Sequence, residues 1–253
     1  MRETTTQIIL DKRLTEETAG LFESLGLDLT TAIRVFLKKS LCMRGFPFNV
    51  RFDTPDEETF ISPLKRQRED VYTYADYLSW NSNQRCELHE GTQVMLPVPT
   101  TIHQRVLYAF FLQIGSFLQG TKYEVFPAPF DVRLFQKDSD RPEDVNTVVQ
   151  PDISVICDPD KIDRAGCKGA PDFIIEILSP STANTDRQYK FDLYRRAGVR
   201  EYWVVDPDLR CVLVHILEDG KYHASLIYLS RAKVPVNVLD GCEIDLSLVF
   251  PES

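Results

Sequence analysis

The sequence predicts a mixed α/β fold preceded by a small strand–helix–helix module. Three observations carry that expectation. Short runs rich in β-branched and aromatic residues alternate with amphipathic helical stripes beyond residue 70. The order of these runs is α-β-β-β-α-β, with further strands after it. The segment "FDTPDEETFISPLKRQRED" (52–70) is polar, carries two prolines and reads as a linker between two unequal parts.

In the first part, "TTTQIIL" (4–10) suits a strand. "LTEETAGLFESLGL" (14–27) follows as a helix, with Thr15 expected as N-cap and Gly26 at the end. "DLTTAIRVFLKKSLCMRG" (28–45) is a second helix, with Thr30 expected as N-cap and Ile33, Phe36, Leu37 and Leu41 as its apolar stripe. So short a piece cannot bury a good core alone, and a lone strand leaves its edge unpaired. Pairing two copies through their strands answers both problems.

From residue 71, "YTYADYLSW" reads as a short helix and "QRCELHEGTQVMLP" as a hairpin. "TIHQRVLYAFFLQIGSFLQG" (101–120) is a long apolar helix. "YEVFPAPFDVRLF" (123–135), "VVQPDISVIC" (148–157) and "PDFIIEILSPST" (171–182) are strands. "TDRQYKFDLYRRAG" (185–198) is a helix and "REYWVVDP" (200–207) the next strand. "CVLVHIL", "KYHASLIYL" and "EIDLSLVF" complete a β-rich end.

Charges inside these apolar elements pose the chemical question. Glu176 sits in the middle of "FIIEIL", a strand apolar enough to be buried on both faces. An ionised carboxylate there costs several kcal/mol unless it is compensated. Asp152 stands at the mouth of the preceding strand, so the two carboxylates can approach one another. Such a pair repels and shares a proton unless a cation lies between them. Mg²⁺ suits that position, since it takes one or two carboxylates plus water and phosphate oxygens. On the following helix, Lys190 falls beside the apolar arc of Tyr189, Leu193 and Ala197 and needs an anionic partner. A buried ion pair that merely closes the core is the simpler reading of any one such Lys–Glu pair. The combination of two strand carboxylates and one inward lysine favours a site. "SPS" at 179–181 lacks the turn of a serine-hydrolase nucleophile, and the four histidines form no metal-ligand spacing.

These residues carry a resemblance. "VVQPDISVICD", "GAPDFIIEILSPSTANTDRQYKFDLYRRAGVREYWVVDP" and "DGKYH" closely resemble the Uma-type restriction endonuclease family, within the PD-(D/E)XK nuclease superfamily, over about residues 72–250. The resemblance implies a restriction-endonuclease-like αβββαβ core with extra β-strands. It implies Asp152 and Glu176 as ligands of Mg²⁺ (or Mn²⁺), with Lys190 completing the catalytic set. The superfamily usually places that lysine two residues after the glutamate. Here Leu178 holds that position and the lysine has moved to the next helix, a variant the family shares. Glu87 in "QRCELHEGT" is implied as an auxiliary acid, with His103 and Gln104 as weaker candidates beside the site. Arg187, Arg195 and Arg200 are candidates for holding the DNA backbone.

The N-terminal stretch "LFESLGLDLTTAIRVFLKKSLCMRGFPFNVR" (21–51) closely resembles RelB/DinJ-type antitoxins of the ribbon-helix-helix class, and "TPDEETF" resembles their toxin-wrapping segment. This implies a homodimer, DNA reading by the paired strands through Thr5 and Gln7, and a toxin partner. Ile9 stands where such proteins often carry a basic residue, so a dimerisation module that no longer reads DNA is the alternative. The domain expectation is 1–51 for this module, 52–70 for the linker or wrapping segment, and 71–253 for the nuclease-like domain.

The bulk numbers set limits. Lys and Arg match Asp and Glu up to residue 69, so the whole net charge of −9 falls beyond it. An acidic domain of that kind binds DNA poorly by electrostatics alone, and a divalent cation or a local basic patch must offset it. No apolar run is long enough to span a membrane, and the first residues turn polar too soon for an export signal. The six scattered cysteines then read as reduced thiols, and the expected compartment is the cytoplasm. The leading expectation is a Mg²⁺-dependent DNA endonuclease fused to an antitoxin-like module. The alternatives are a non-catalytic DNA-binding regulator on a degenerate nuclease scaffold, and a toxin restrained in cis.

Overall fold

The structure is a computed structural model that describes residues 12–24, 27–43, 71–80, 85–179, 185–222 and 226–250. The expected strand 4–10, with Thr5 and Gln7, and the linker 52–70 lie outside these residues. So does the C-terminal boundary of the second expected helix.

Both N-terminal helices form, as α1 (Lys12–Ser24) and α2 (Leu29–Met43). Their starts differ from expectation. Thr15 lies inside α1, and its carbonyl accepts from the Thr18 hydroxyl. Asp28 rather than Thr30 caps α2: its carboxylate accepts from the Thr31 amide at 2.9 Å and the Thr31 hydroxyl at 2.6 Å. An ionised cap at a helix start is favoured by the helix dipole as well as the hydrogen bonds. Leu27 and Val35 pack on the main core, while Leu21, Phe36 and Leu37 remain exposed.

The larger part opens with α3 (Tyr74–Tyr77) and the hairpin β1 (Cys86–His89) and β2 (Thr92–Met95). Glu90 and Gly91 turn the hairpin with φ of 47° and 85°, the two positive values a two-residue turn of this hand requires. Helix α4 (Thr101–Leu118) follows, capped by the Thr100 hydroxyl on the His103 amide. The expected strand 123–135 is split into β3 (Glu124–Pro127) and β4 (Val132–Arg133). Pro127 and Pro129 lack ladder donors, which ends pairing between them. Next come β5 (Ile153–Ile156), β6 (Ile162–Asp163), β7 (Gly166–Lys168) and β8 (Phe173–Ile177). Helix α5 (Thr185–Ala197) leads to β9 (Glu201–Asp206), β10 (Cys211–Glu218), β11 (Lys221–Tyr222), β12 (Leu226–Leu229), β13 (Lys233–Pro235) and β14 (Glu243–Asp245). The chain expected as a strand at "EIDLSLVF" turns after β14 into a short helix, α6 (Leu246–Val249), because Asp245 caps the Ser247 amide.

Seven strands make the main sheet, in the order β11-β10-β9-β8-β5-β3, with β12 also on β10. β8 lies at its centre, antiparallel to β5 and parallel to β9. Helix α4 covers one face, where Phe110 and Phe173 meet Trp203 edge-on at 6.2 and 5.0 Å between ring centres. Helix α5 covers the other through Phe191, Leu193 and Tyr194. β4, β7 and β6 form a small separate sheet. The described Cys86, Cys157, Cys167, Cys211 and Cys242 are free thiols, and all but Cys157 are buried.

Candidate active site

Glu176 and Asp152 are brought together by strand register. Ile153 pairs with Ile175 across β5 and β8, so one step further sets Asp152 opposite Glu176. Directly opposed residues of antiparallel strands have Cβ atoms about 5 Å apart. Pro151 precedes Asp152 just ahead of β5, where it has no ladder donor to lose. Asp152 Oδ2 accepts from the Ile177 amide at 2.7 Å and lies 3.1 Å from His103 Nε2, at the first turn of α4.

Helix α5 supplies the cation. Lys190 is buried, with Nζ 2.9 Å from Glu176 Oε1 and 3.3 Å from Glu87 Oε1. Tyr194, one turn along, donates its hydroxyl to the same Glu176 oxygen at 2.6 Å. Glu87 on β1 is fully buried. Its Oε1 also accepts from the Gln150 amide at 2.8 Å, and its Oε2 lies 2.7 Å from His89 Nε2. The ring of His89 stacks on Tyr189, with centres 4.8 Å apart.

The two carboxylates that share Lys190 are driven in opposite directions. Burial pushes the Glu87 carboxyl up, but the Lys190 charge, the His89 contact and the Gln150 amide outweigh it and hold it at about 2. Burial also pushes Glu176 up. Lys190 opposes that push, but the negative charges of Asp152 and Glu87 add to it, and the group rises to about 7. Burial disfavours charge on His103, yet its hydrogen bond to Asp152 and the charges of Asp152 and Glu176 raise its pKa above the usual imidazole value. Three carboxylates, Glu87, Asp152 and Glu176, thus converge on Lys190 and His103.

Asp152, Glu176, Lys190, His103, Gln150 and Arg85 line a small cleft of about 80 Å³, with an apolar rim from Leu96 to Pro99. Among the described residues, no group of three or more His, Cys, Asp or Glu side chains stands in metal-holding geometry. The donor set is therefore two carboxylates. One oxygen of each is tied down, and no hydrogen bond from the described residues reaches Asp152 Oδ1 or Glu176 Oε2. Two hard oxygen donors, each with an oxygen that no described residue hydrogen-bonds, fit a divalent cation that keeps most of its water.

The other sequence candidates are scattered. Gln104 is exposed on α4 and does not line the cleft. Arg195 bonds Asp192 and the Gly220 carbonyl on the outside of α5. Arg200 reaches Asp172, at the opposite end of β8 from Glu176. Arg187 lies on α5 with its side chain outside the described residues. Sequence reasoning passed over Tyr194, His89, Gln150 and Arg85. Tyr194 follows Lys190 at i+4, a spacing that shares one helix face, and could have been found by that signal. Gln150 stands two before Asp152, on the same side of its strand. Nothing local marks it as the partner of β1.

The matches to known proteins agree with this architecture. A model of the Uma2 family, described as "Putative restriction endonuclease", matches residues 74–247. Among solved structures, the chain is similar to a "putative nuclease belonging to DUF820" from Anabaena variabilis. The identity is 22%, over 71% of this chain and 97% of that one, and the TM-score is 0.57. That likeness speaks for the fold. No curated protein matches the chain. With the family model spanning the sheet, α4, α5 and the whole cleft, the chain belongs to the Uma2 family.

Proposed function

We propose that this protein is a Mg²⁺- or Mn²⁺-dependent DNA endonuclease. The observation that carries the reading is Asp152, just ahead of β5, held by the Ile177 amide beside Glu176 on β8, each carboxylate keeping one oxygen that no described residue hydrogen-bonds, next to the buried Lys190. Family membership supports the reaction class.

Hydrolysis joins a water oxygen to phosphorus, breaks one ester P–O bond, passes the water's proton to solvent and returns a proton to the departing oxygen. A bound Mg²⁺ supplies Lewis acidity to the phosphoryl group and lowers the pKa of the attacking water. Asp152 and Glu176 would hold that ion. The Ile177 amide and His103 fix Asp152, and Tyr194 and Lys190 fix Glu176, so neither carboxylate must reorganise. Lys190 places a positive charge in the cleft, where it can offset charge growing on the phosphoryl oxygens. Glu87, 3.3 Å from Lys190 Nζ, helps to aim it.

The same proposal includes the N-terminal antitoxin-like module (1–51), the segment 52–70 and the nuclease domain (71–253). The exposed Leu37 on α2 supports pairing with a second copy or a toxin, which would cover it.

Calorimetric titration of Mg²⁺ and Mn²⁺ into wild type and Glu176→Ala, with a plasmid-nicking assay on both, tests the site. Binding and nicking lost together in the variant are expected. A wild type that neither binds the metals nor cuts DNA would assign Lys190, Glu87 and Glu176 to a structural ion cluster in a non-catalytic regulator.

A further inference from the structure

One cation in the cleft is not used by the scheme above. Arg85 directly precedes β1, and the two-residue alternation of a strand puts it on the side of Glu87 and His89. The amide of Leu96 bonds the Arg85 carbonyl at 2.9 Å, so the hairpin ladder extends to this residue and anchors its backbone. Its side chain is half-buried and lines the cleft with Asp152 and Glu176. Lys190 and His103 are each engaged with carboxylates there. Among the described residues Arg85 makes no ion pair. Among those residues its side chain hydrogen-bonds Gln150 Oε1, from Nε at 3.2 Å.

That bond is aimed by a chain of others. The Gln150 amide nitrogen donates to Asp131 Oδ1 at 2.9 Å and the Tyr77 hydroxyl at 3.1 Å, which fixes which end of the amide faces Arg85. Tyr77 itself donates to Asp131 at 2.8 Å. The Gln150 backbone amide is held by Glu87. A neutral acceptor therefore holds the guanidinium by one edge and leaves its full charge. The two terminal nitrogens match a phosphate in geometry and charge.

We propose that Arg85 binds a non-bridging oxygen of the DNA backbone in the cleft, and that Gln150 is its positioning residue. This rests on the nuclease reading. It identifies the local positive charge by which an acidic domain would hold a polyanion at this cleft.

The test is anisotropy of a short fluorescein-labelled duplex with the full chain, in EDTA and in Ca²⁺, across a salt series. Arg85→Ala should weaken binding about tenfold and lower the slope of log affinity against log salt by about one. Gln150→Ala should weaken it about threefold with the slope kept. Mg²⁺ affinity should be unchanged in both, since neither residue is a proposed ligand. If Arg85→Ala fails to fold, Arg85→Gln carries the same expectation. An alanine or glutamine variant that binds duplex as tightly as wild type, with the same salt slope, overturns the proposal and leaves the nuclease reading intact. A wild type that binds no duplex under either condition overturns both.

Discussion

Replacing Lys190 by methionine keeps most of the side-chain volume and removes one buried positive charge. In the structure that charge serves Glu176 at 2.9 Å and Glu87 at 3.3 Å. Breaking a buried ion pair from one side costs about 3–5 kcal/mol. The present case belongs near the lower end. Glu176 is already raised to about 7, so without Lys190 it takes a proton at neutral pH instead of remaining an uncompensated anion. Glu87 has less freedom, being fully buried and held at about 2 against its ordinary 4.5. The Lys190 charge is the largest of the groups that hold it there, with His89 and the Gln150 amide beside it, so removing the lysine forfeits part of that depression. Urea unfolding at pH 7.5 should therefore show Lys190→Met destabilised by about 3 kcal/mol. Adding Glu87→Gln should recover part of the loss, because the stranded charge is gone. The deficit should also shrink from pH 7.5 to pH 5, where Glu176 is protonated in both proteins. A loss under about 1 kcal/mol at pH 7.5, with no coupling to Glu87→Gln, would refute the buried-cluster reasoning.

Two further outcomes follow from the same geometry. A carboxyl raised in the folded state destabilises as it ionises, so the Glu176 contribution should be lost as pH rises from about 4.5 to about 7. Comparing wild type with Glu176→Gln in metal-free buffer should show that loss only in wild type, and Mg²⁺ should raise the melting temperature more at pH 8 than at pH 6. Gly166 sits at φ 121°, where an added Cβ would come within 2.1 Å of the Asp131 carbonyl oxygen. Gly166→Ala should cost at least about 1–3 kcal/mol by thermal melting and disturb Asp131, the support of Gln150 and so of Arg85.

The sequence by itself located most of the described elements and singled out the charges that need partners. The apolar run around Glu176, the proline before Asp152 and the helical phase of Lys190 are local patterns. Burial of a charge in such a pattern demands a partner wherever the rest of the chain lies. The two N-terminal helices were also legible, although Asp28 and Thr30 compete for one cap and only the backbone path chose between them. Tertiary structure decided which partners meet. Glu87 lies 63 residues before Gln150, and no periodicity says that it will receive both the Gln150 amide and Lys190. It also decided that Arg200, adjacent to β9 in sequence, stands on Asp172 at the far end of β8, while Arg85 enters the cleft. A strand's side-chain direction is a two-residue rule that can be read from the chain. The end of the sheet at which a loop charge arrives depends on pairing across long sequence separations, and that is set by the packed core as a whole.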